Sequence, residues 1–534
     1  MSLQKATNTK LLTRPSKPDS RLENETIENR SQNRVVLGRL LRVLVLAVLL
    51  TVIAAPSLAP KYSVVDNDLW LHLKTGDWIV EQQAFPHTGI LSRTAADRPW
   101  MAYSWLSEVL LSRFHGWFQL VGIAVFGWLL TLAVAYSGFW MTHRLSGSFW
   151  KACPLTVVCC IGFLFNVYPR PVFFSMLLFA LSLTLLLEAR RTAQPGLLYW
   201  LPPICLLWAN THIQFVYGIF LVGLFVLVSL AQKGVAHLGF TADYLLSPLA
   251  LPARTLLIIL CACLLATCIG PYSYHLYSVV FGYATSKFPY VSIREFQSLT
   301  FRNYKDFVEL LLTGFAFFAL GRQKKLDPFL LSLLTIASVI GFRTQRDAWF
   351  ICIPAAACIA LSFPGSSREH TPSSREAIWE KAALAVTSAL LIIVYAQAVD
   401  FTTSTLRLAI GESFPVRAVN FLRDHPQPGP LYNTYDWGGF LTWYMPEQLV
   451  AIDGRTDLYG DDIDTRFIMT EEGDASYVDD PYLKESNVFL LPLRSKLAQI
   501  LTTDSQMQLV YQDSLAAIFI RRRDHASESS KQRP

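Results

Sequence analysis

Charge is what this sequence has little of. Only 16% of its 534 residues are Asp, Glu, Lys or Arg, and 52% are hydrophobic, with a mean hydropathy of +0.34. A soluble globular protein carries about a quarter charged residues, so the composition excludes one of this length. Cysteine is lacking wherever a disulfide would be useful. All nine cysteines fall inside apolar runs, and none lies in a polar loop or in the polar C-terminal part. They read as small buried hydrophobes, which excludes a disulfide framework and a Cys-type zinc site. The C-terminal part also lacks a Gly-rich phosphate loop, a His/Cys cluster and a serine-nucleophile motif. The net charge of +6 is small and dispersed, which argues against nucleic acid as a partner. On an apolar chain such an excess reports topology instead.

What is present is a series of apolar runs. Spans are expected near 36–57, 117–141, 152–168, 172–188, 197–210, 213–231, 255–271, 307–321, 328–342, 347–363 and 383–399. This makes an α-helical polytopic membrane protein of about 11 transmembrane helices, each of roughly 20 residues. Arg34, Arg39 and Arg42 at the first span put the N-terminus in the cytoplasm by the positive-inside rule. The connectors holding Arg144 with Lys151, Arg190 with Arg191, Lys233 with Arg254, Arg322 with Lys324, and Arg368 with Lys381 then all fall inside. An odd span count leaves the C-terminal domain outside. The expected organisation is a disordered cytoplasmic tail (1–33), a transmembrane domain (34–400) with a first external loop (58–116), an extracytoplasmic α/β domain (401–523) and a disordered tail (524–534).

The unusual polar residues gather on the outer connectors. Asp66-Asn67-Asp68 follows the first span and opens an amphipathic stretch, Leu69 to Val80, that suits an interfacial helix with Trp70 and Trp78 at the boundary. Two carboxylates one residue apart can bind a divalent cation, or one can act as a base on a hydroxyl. Equally, they can be a helix cap and a solvated charge. Arg170, between two prolines, and Arg343 with Arg346 lie at outer span ends. Arginine's planar fork suits phosphate, though such residues also anchor helix ends by snorkelling. Asn210 and His212 sit in a tight outer turn, and Tyr272 and His275 follow Pro271. These are candidate substrate contacts, or turn and aromatic-belt residues. The loop 272–306, carrying Glu295, is expected to be mobile and to close over a substrate.

The C-terminal part alternates helix and strand: a helix from Pro415, strands at 429–433, 449–452, 487–491, 508–511 and 516–520, and a helix over 495–501. Tyr435-Asp436-Trp437-Gly438-Gly439 reads as a tight turn presenting Asp436 and Trp437. Asp453-Gly454-Arg455-Thr456-Asp457 follows a strand, so Asp453 and Arg455 are candidate contacts. Both patches read equally as glycine turns with a capping aspartate.

The run Asp66-Asn67-Asp68-Leu69-Trp70, with His72 and Thr75-Gly76, then Phe85-Pro86-His87-Thr88, Arg98-Pro99-Trp100 and Trp105-Leu106-Ser107-Glu108, resembles the GT-C superfamily of polyprenyl-phosphate-sugar-dependent glycosyltransferases. The likeness is to the bacterial, substrate-unassigned branch, and more distantly to oligosaccharyltransferase subunits and protein mannosyltransferases. It extends to Trp208–His212, Pro271–Tyr277, Asp436–Gly439 and Ile452–Tyr459. The D-aromatic-G element departs from the oligosaccharyltransferase pattern, since Thr434-Tyr435 stands where paired tryptophans belong. Peptide-sequon recognition therefore does not carry over.

The resemblance implies transfer of a hexosyl or pentosyl group from a polyprenyl-phosphate carrier to a glycan, lipid or protein acceptor at the outer face of a bacterial inner (plasma) membrane. Asp66 and Asp68 are then the acidic centre, as acceptor base or as ligands of Mg2+ or Mn2+. Arg170, Arg343 and Arg346 hold the donor phosphate, and His72, Glu295 and the residues above contact substrate. The alternatives are a lipid-linked-glycan flippase, which needs polar groups deep in the helices, and a non-catalytic scaffold with an external binding domain.

Overall fold

The computed structural model describes residues 38–163, 168–238, 244–246, 252–364, 374–398 and 401–522. The two expected disordered tails lie outside the described residues, as does most of the connector holding Arg368. Each expected span has a helix. Four of these are long and apolar enough to cross a membrane: Gly38–Leu58, Trp105–Ser146, Val172–Thr192 and Phe215–His237. Others are shorter, among them Phe149–Phe163, Ala253–Thr267 and Pro328–Arg343. Leu201–Thr211 is an 11-residue helix entered through a 3-10 turn, because Pro195, Pro202 and Pro203 allow a helix to start but not to continue back.

The bundle is organised around Ala348–Ser362. Every residue from Ala348 to Ala360 is buried, as befits a helix apolar all round. The small residues Ala355, Ala356, Ala357 and Ala360 let neighbouring helices approach closely. Gly341 and Gly162 serve the same end. A methyl group on them would lie 2.2 Å from Ile351 and 2.5 Å from Cys352. Polar groups inside the bundle are few but include Asp306 and Glu309 on Tyr304–Gly321, both buried.

The two ends of the bundle differ. At one end Arg190 pairs with Asp327, which caps Pro328–Arg343, and Glu188 takes Arg191 at 2.8 Å. The 58–116 loop, the 168–171 and 343–347 turns and the C-terminal domain all meet at the other. There Trp105–Ser146 is a single helical run broken at Gln119 (φ 54°, ψ −143°), so the expected interfacial helix and span join at a kink.

The C-terminal domain carries a four-stranded sheet in the order β1-β2-β4-β3: β1 (Leu431–Asn433), β2 (Val488–Pro492), β3 (Met507–Gln512) and β4 (Ala516–Arg521). β1 and β2 are parallel, and the other pairs antiparallel. The stretch 449–452 is not a ladder strand. Val450 makes one isolated bridge to Ser92 of the 58–116 loop, so its apolar residues serve contact between domains. Tyr435–Tyr444 is a helix and not the expected turn. Its glycines serve close approach: a methyl on Gly438 would sit 1.9 Å from the Ile452 carbonyl, and one on Gly439 2.5 Å from the Asn67 carbonyl.

Candidate functional site

The helix Asn67–Gln82 presents the acidic motif. It is amphipathic, yet Trp70 does not lie at a boundary with lipid. It is fully buried under the C-terminal domain, 4.5 Å from the Trp443 ring and 5.6 Å from Phe440. Gly76 lets the same helix press on the Glu108 carbonyl, where a methyl would stand at 2.1 Å. The acidic motif is thereby clamped between the bundle and the C-terminal domain.

Asp66 occupies the N-cap position but its side chain makes no cap bond. Both its oxygens accept from Arg170 instead, from Nε at 2.9 Å and Nη2 at 2.5 Å. A charge-assisted bidentate pair outcompetes a single cap bond. Arg170 Nη1 also reaches Asp68 Oδ2 at 3.1 Å and Glu295 Oε2 at 3.1 Å. Glu295 in turn lies 3.6 Å from Arg346. Asp66, Asp68, Arg170, Glu295 and Arg346, drawn from four separate chain segments, therefore converge. Burial alone would weaken the Arg170 guanidinium, but the three carboxylates hold it well above its ordinary pKa. Burial pushes the Asp68 carboxyl up, and Asp66 and Glu295 add to this against the pull of Arg170. For Glu295 burial is outweighed by Arg170 and Arg346, and its pKa falls.

Asp66 is 4% exposed and has no oxygen left over. Asp68 is half-buried, and its Oδ1 is not the atom that meets Arg170. That oxygen faces Gly454, whose missing side chain leaves the room: a methyl there would stand 2.7 Å from Oδ1. Of the two aspartates, Asp68 is the one with an oxygen turned away from Arg170.

Beside this cluster lie His72, a candidate substrate contact, with Glu108, and a tyrosine pair that the sequence alone did not single out. His72, one turn along from Asp68, bonds Glu108 Oε1 through Nδ1 at 2.8 Å. Burial would lower the imidazole's pKa, yet Glu108 raises it. The pair borders a narrow crevice with Pro169, Pro171 and Phe126. On the other flank the Tyr103 and Tyr283 hydroxyls lie 3.0 Å apart, and Tyr283 donates to Asp457 Oδ1 at 3.4 Å. Burial raises Asp457 to about 6. The loop residues Ser286, Lys287 and Phe288 are tied to Asp461 of the C-terminal domain, with Lys287 N donating at 2.8 Å. The segment expected to be mobile therefore carries short helices and is moored.

The remaining candidates are placed apart or used internally. Arg343 is exposed over the Tyr290 ring at 5.2 Å, and Arg346 stacks on Phe296 at 4.9 Å. Among the described residues Arg343 forms no ion pair. Asn210 accepts from Trp105 Nε1 at 2.9 Å and donates to the Leu206 and Ile269 carbonyls at 2.8 Å, bracing helix ends. His212 bonds Ser175, and burial lowers its pKa well below normal, so it is neutral. Tyr272 is buried between Pro86 O and Ala102 N, while His275 is exposed against Tyr274. Asp436 accepts from Asn67 at 3.2 Å, and Trp437 is buried. Asp453 and Arg455 form a buried bidentate pair under Trp100, capped by the Tyr459 hydroxyl at 3.0 Å, and so face each other.

A divalent ion at the acidic motif is one of the two roles that the resemblance implies for Asp66 and Asp68, the other being an acceptor base. The donor set does not suit the ion. Mg2+ demands an octahedron of oxygens, whereas both oxygens of Asp66 and of Glu295 and one of Asp68 already face a guanidinium. Among the described residues no group of three His, Cys, Asp or Glu is arranged to hold a metal ion.

No protein-family model and no curated protein matches the sequence. Solved structures do. The chain is similar to ArnT from Cupriavidus metallidurans bound to undecaprenyl phosphate, at 14% identity and a TM-score of 0.48 over 89% of this chain and 97% of that one. It is also similar to the archaeal oligosaccharyltransferase AglB from Archaeoglobus fulgidus in complex with an inhibitory peptide and a dolichol-phosphate. There the identity is 12% and the TM-score 0.48, over 84% of this chain and 69% of that one.

Proposed function

We propose that this chain is a glycosyltransferase that moves a sugar from a polyprenyl-phosphate carrier to an acceptor hydroxyl at the outer face of the membrane. The observation that carries the reading is Asp68. It is a half-buried carboxylate with one oxygen free, beside an arginine-rich cluster at one end of an apolar bundle.

In this reading Asp68 Oδ1 accepts the hydroxyl proton while the acceptor oxygen bonds the anomeric carbon. The bond from that carbon to the phosphate oxygen breaks, and the polyprenyl phosphate leaves. Its charge is met by Arg346, whose guanidinium, stacked on Phe296 beside Glu295, suits phosphate oxygens. Asp68 then loses the proton to water on its exposed side. Asp66 acts through Arg170 as a positioning residue and does not touch substrate. The Tyr103–Tyr283–Asp457 chain lines the approach from the C-terminal domain and supports acceptor binding there.

Purified chain in nanodiscs, given a labelled undecaprenyl- or dolichol-phosphate sugar and a mixture of glycan, lipid and peptide acceptors, tests this. Asp68→Asn should lower the transfer rate by about 10²–10⁴-fold, the usual worth of a general base. Full activity in that variant sinks the assignment.

A further inference from the structure

The acidic cluster already contains a cation. Asp66, Asp68 and Glu295 together carry three negative charges, and one guanidinium touches all of them: Nε and Nη2 on Asp66, Nη1 on both Asp68 and Glu295. Three of its N–H groups thereby donate hydrogen bonds, and Nη1 also stands 3.1 Å from Asp68 Oδ2 as an ion pair. Flanking prolines at 169 and 171 restrict the backbone on each side, and the Tyr168 ring lies 5.7 Å below the guanidinium. The group is placed before any ligand arrives. An arginine cannot deprotonate in such a setting, so its charge is as permanent as that of a bound ion.

A second cation at the same carboxylates would face strong repulsion. Arg346 lies beyond Glu295 on the far side, so the cluster is already bracketed by two positive groups. A divalent ion on Asp66 would have to share oxygens that already accept from Arg170, at a buried position beside that guanidinium's charge.

We propose that Arg170 is the built-in cation of this site: it does for Asp66, Asp68 and Glu295 what a divalent metal would do, and transfer by this chain needs no added metal. This rests on the transferase reading for its activity arm but not for its binding arm. Arg170 is then a positioning residue that holds Asp68 Oδ2, leaving Oδ1 aimed at the acceptor.

The test uses the full chain in nanodiscs, with Mn2+ alone as the probe. Binding is followed by electron paramagnetic resonance, stability by thermal melting, and transfer is measured with and without EDTA. The wild type should bind no stoichiometric Mn2+, and neither its melting nor its transfer rate should change with EDTA. Arg170→Ala should lose about a hundredfold in rate, bind Mn2+ through the freed carboxylates, and regain both melting temperature and rate when Mn2+ is added. A merely structural arginine would give no manganese rescue, and absence of rescue in a folded Arg170→Ala protein counts against the proposal. If Arg170→Ala does not fold, the wild type decides. Stoichiometric Mn2+ binding that Asp66→Asn abolishes, or transfer lost in EDTA and restored by Mn2+, overturns the proposal. If no donor is ever turned over, the transferase reading fails, and the manganese binding of wild type and Arg170→Ala still decides the cation question.

Discussion

Gly439→Ala probes whether the C-terminal domain sets the position of the acidic motif. The added methyl would stand 2.5 Å from the Asn67 carbonyl oxygen and 3.4 Å from Leu71 Cβ. An ordinary C···O contact is about 3.3 Å, so the two helices must part by about 0.8 Å. The obstacle is backbone and has no rotamer to escape into. Overpacking of this kind costs about 1–3 kcal/mol, offset by up to about 1 kcal/mol from the better helix propensity of alanine.

A net loss of about 0–2 kcal/mol is therefore expected. Asn67 lies between the two aspartates, so the displacement is felt at Asp68. A misplacement near 1 Å costs about a hundredfold in rate. Gly411→Ala is the control. It lies exposed in Thr403–Ser413 with nothing within 4 Å of the added methyl. It should gain up to about 1 kcal/mol from propensity alone and leave transfer unchanged. Thermal melting and transfer rate of both variants, side by side, make the comparison. If Gly439→Ala is stabilised like Gly411→Ala and keeps full activity, the tight docking is not what positions Asp68.

Two further outcomes follow from the hydrogen bonds. Asn210→Ala leaves the Trp105 N–H and the Ile269 carbonyl without their partner, so melting should fall by an equivalent of about 1–3 kcal/mol with KM for donor and acceptor unchanged. A raised KM with normal melting would return Asn210 to the substrate. His72 has a raised pKa through Glu108, so its stabilisation is complete below the unfolded value of about 6.5 and is lost as pH rises through the folded one. Glu108→Gln should therefore be less stable than wild type by about 1–3 kcal/mol in mildly acidic buffer. The gap should close as the buffer becomes alkaline. A gap that widens with pH contradicts the pairing.

Much was legible in the sequence because it depends on one-dimensional quantities. A run of apolar residues is either long enough to be a buried helix or it is not, and each expected span has its helix. The alternating segments 487–491, 508–511 and 516–520 became β2, β3 and β4 for the same reason, since period-two patterning is local. The acidic pair and the arginines were visible as residues that apolar surroundings make conspicuous. Less legible was how each would be used. Asp66 reads as a cap, and only the arrival of Arg170 from another segment takes both its oxygens away. Gly438 and Gly439 read as a turn because glycine's local meaning is backbone freedom. Here their meaning is the space beside Ile452 and Asn67, which no local signal carries. Trp70 reads as an interfacial anchor, and the Trp443 and Phe440 rings that bury it lie far along the chain.

The sequence by itself determined an apolar helical bundle, its polar C-terminal α/β part and the residues able to do acid–base or phosphate chemistry. Only the tertiary structure decided which carboxylate stays free. Hydrogen-bond valence is settled by whichever groups the fold brings within 3 Å or so. Asp66 meets the fork of Arg170, while Asp68 keeps Oδ1 facing the gap at Gly454.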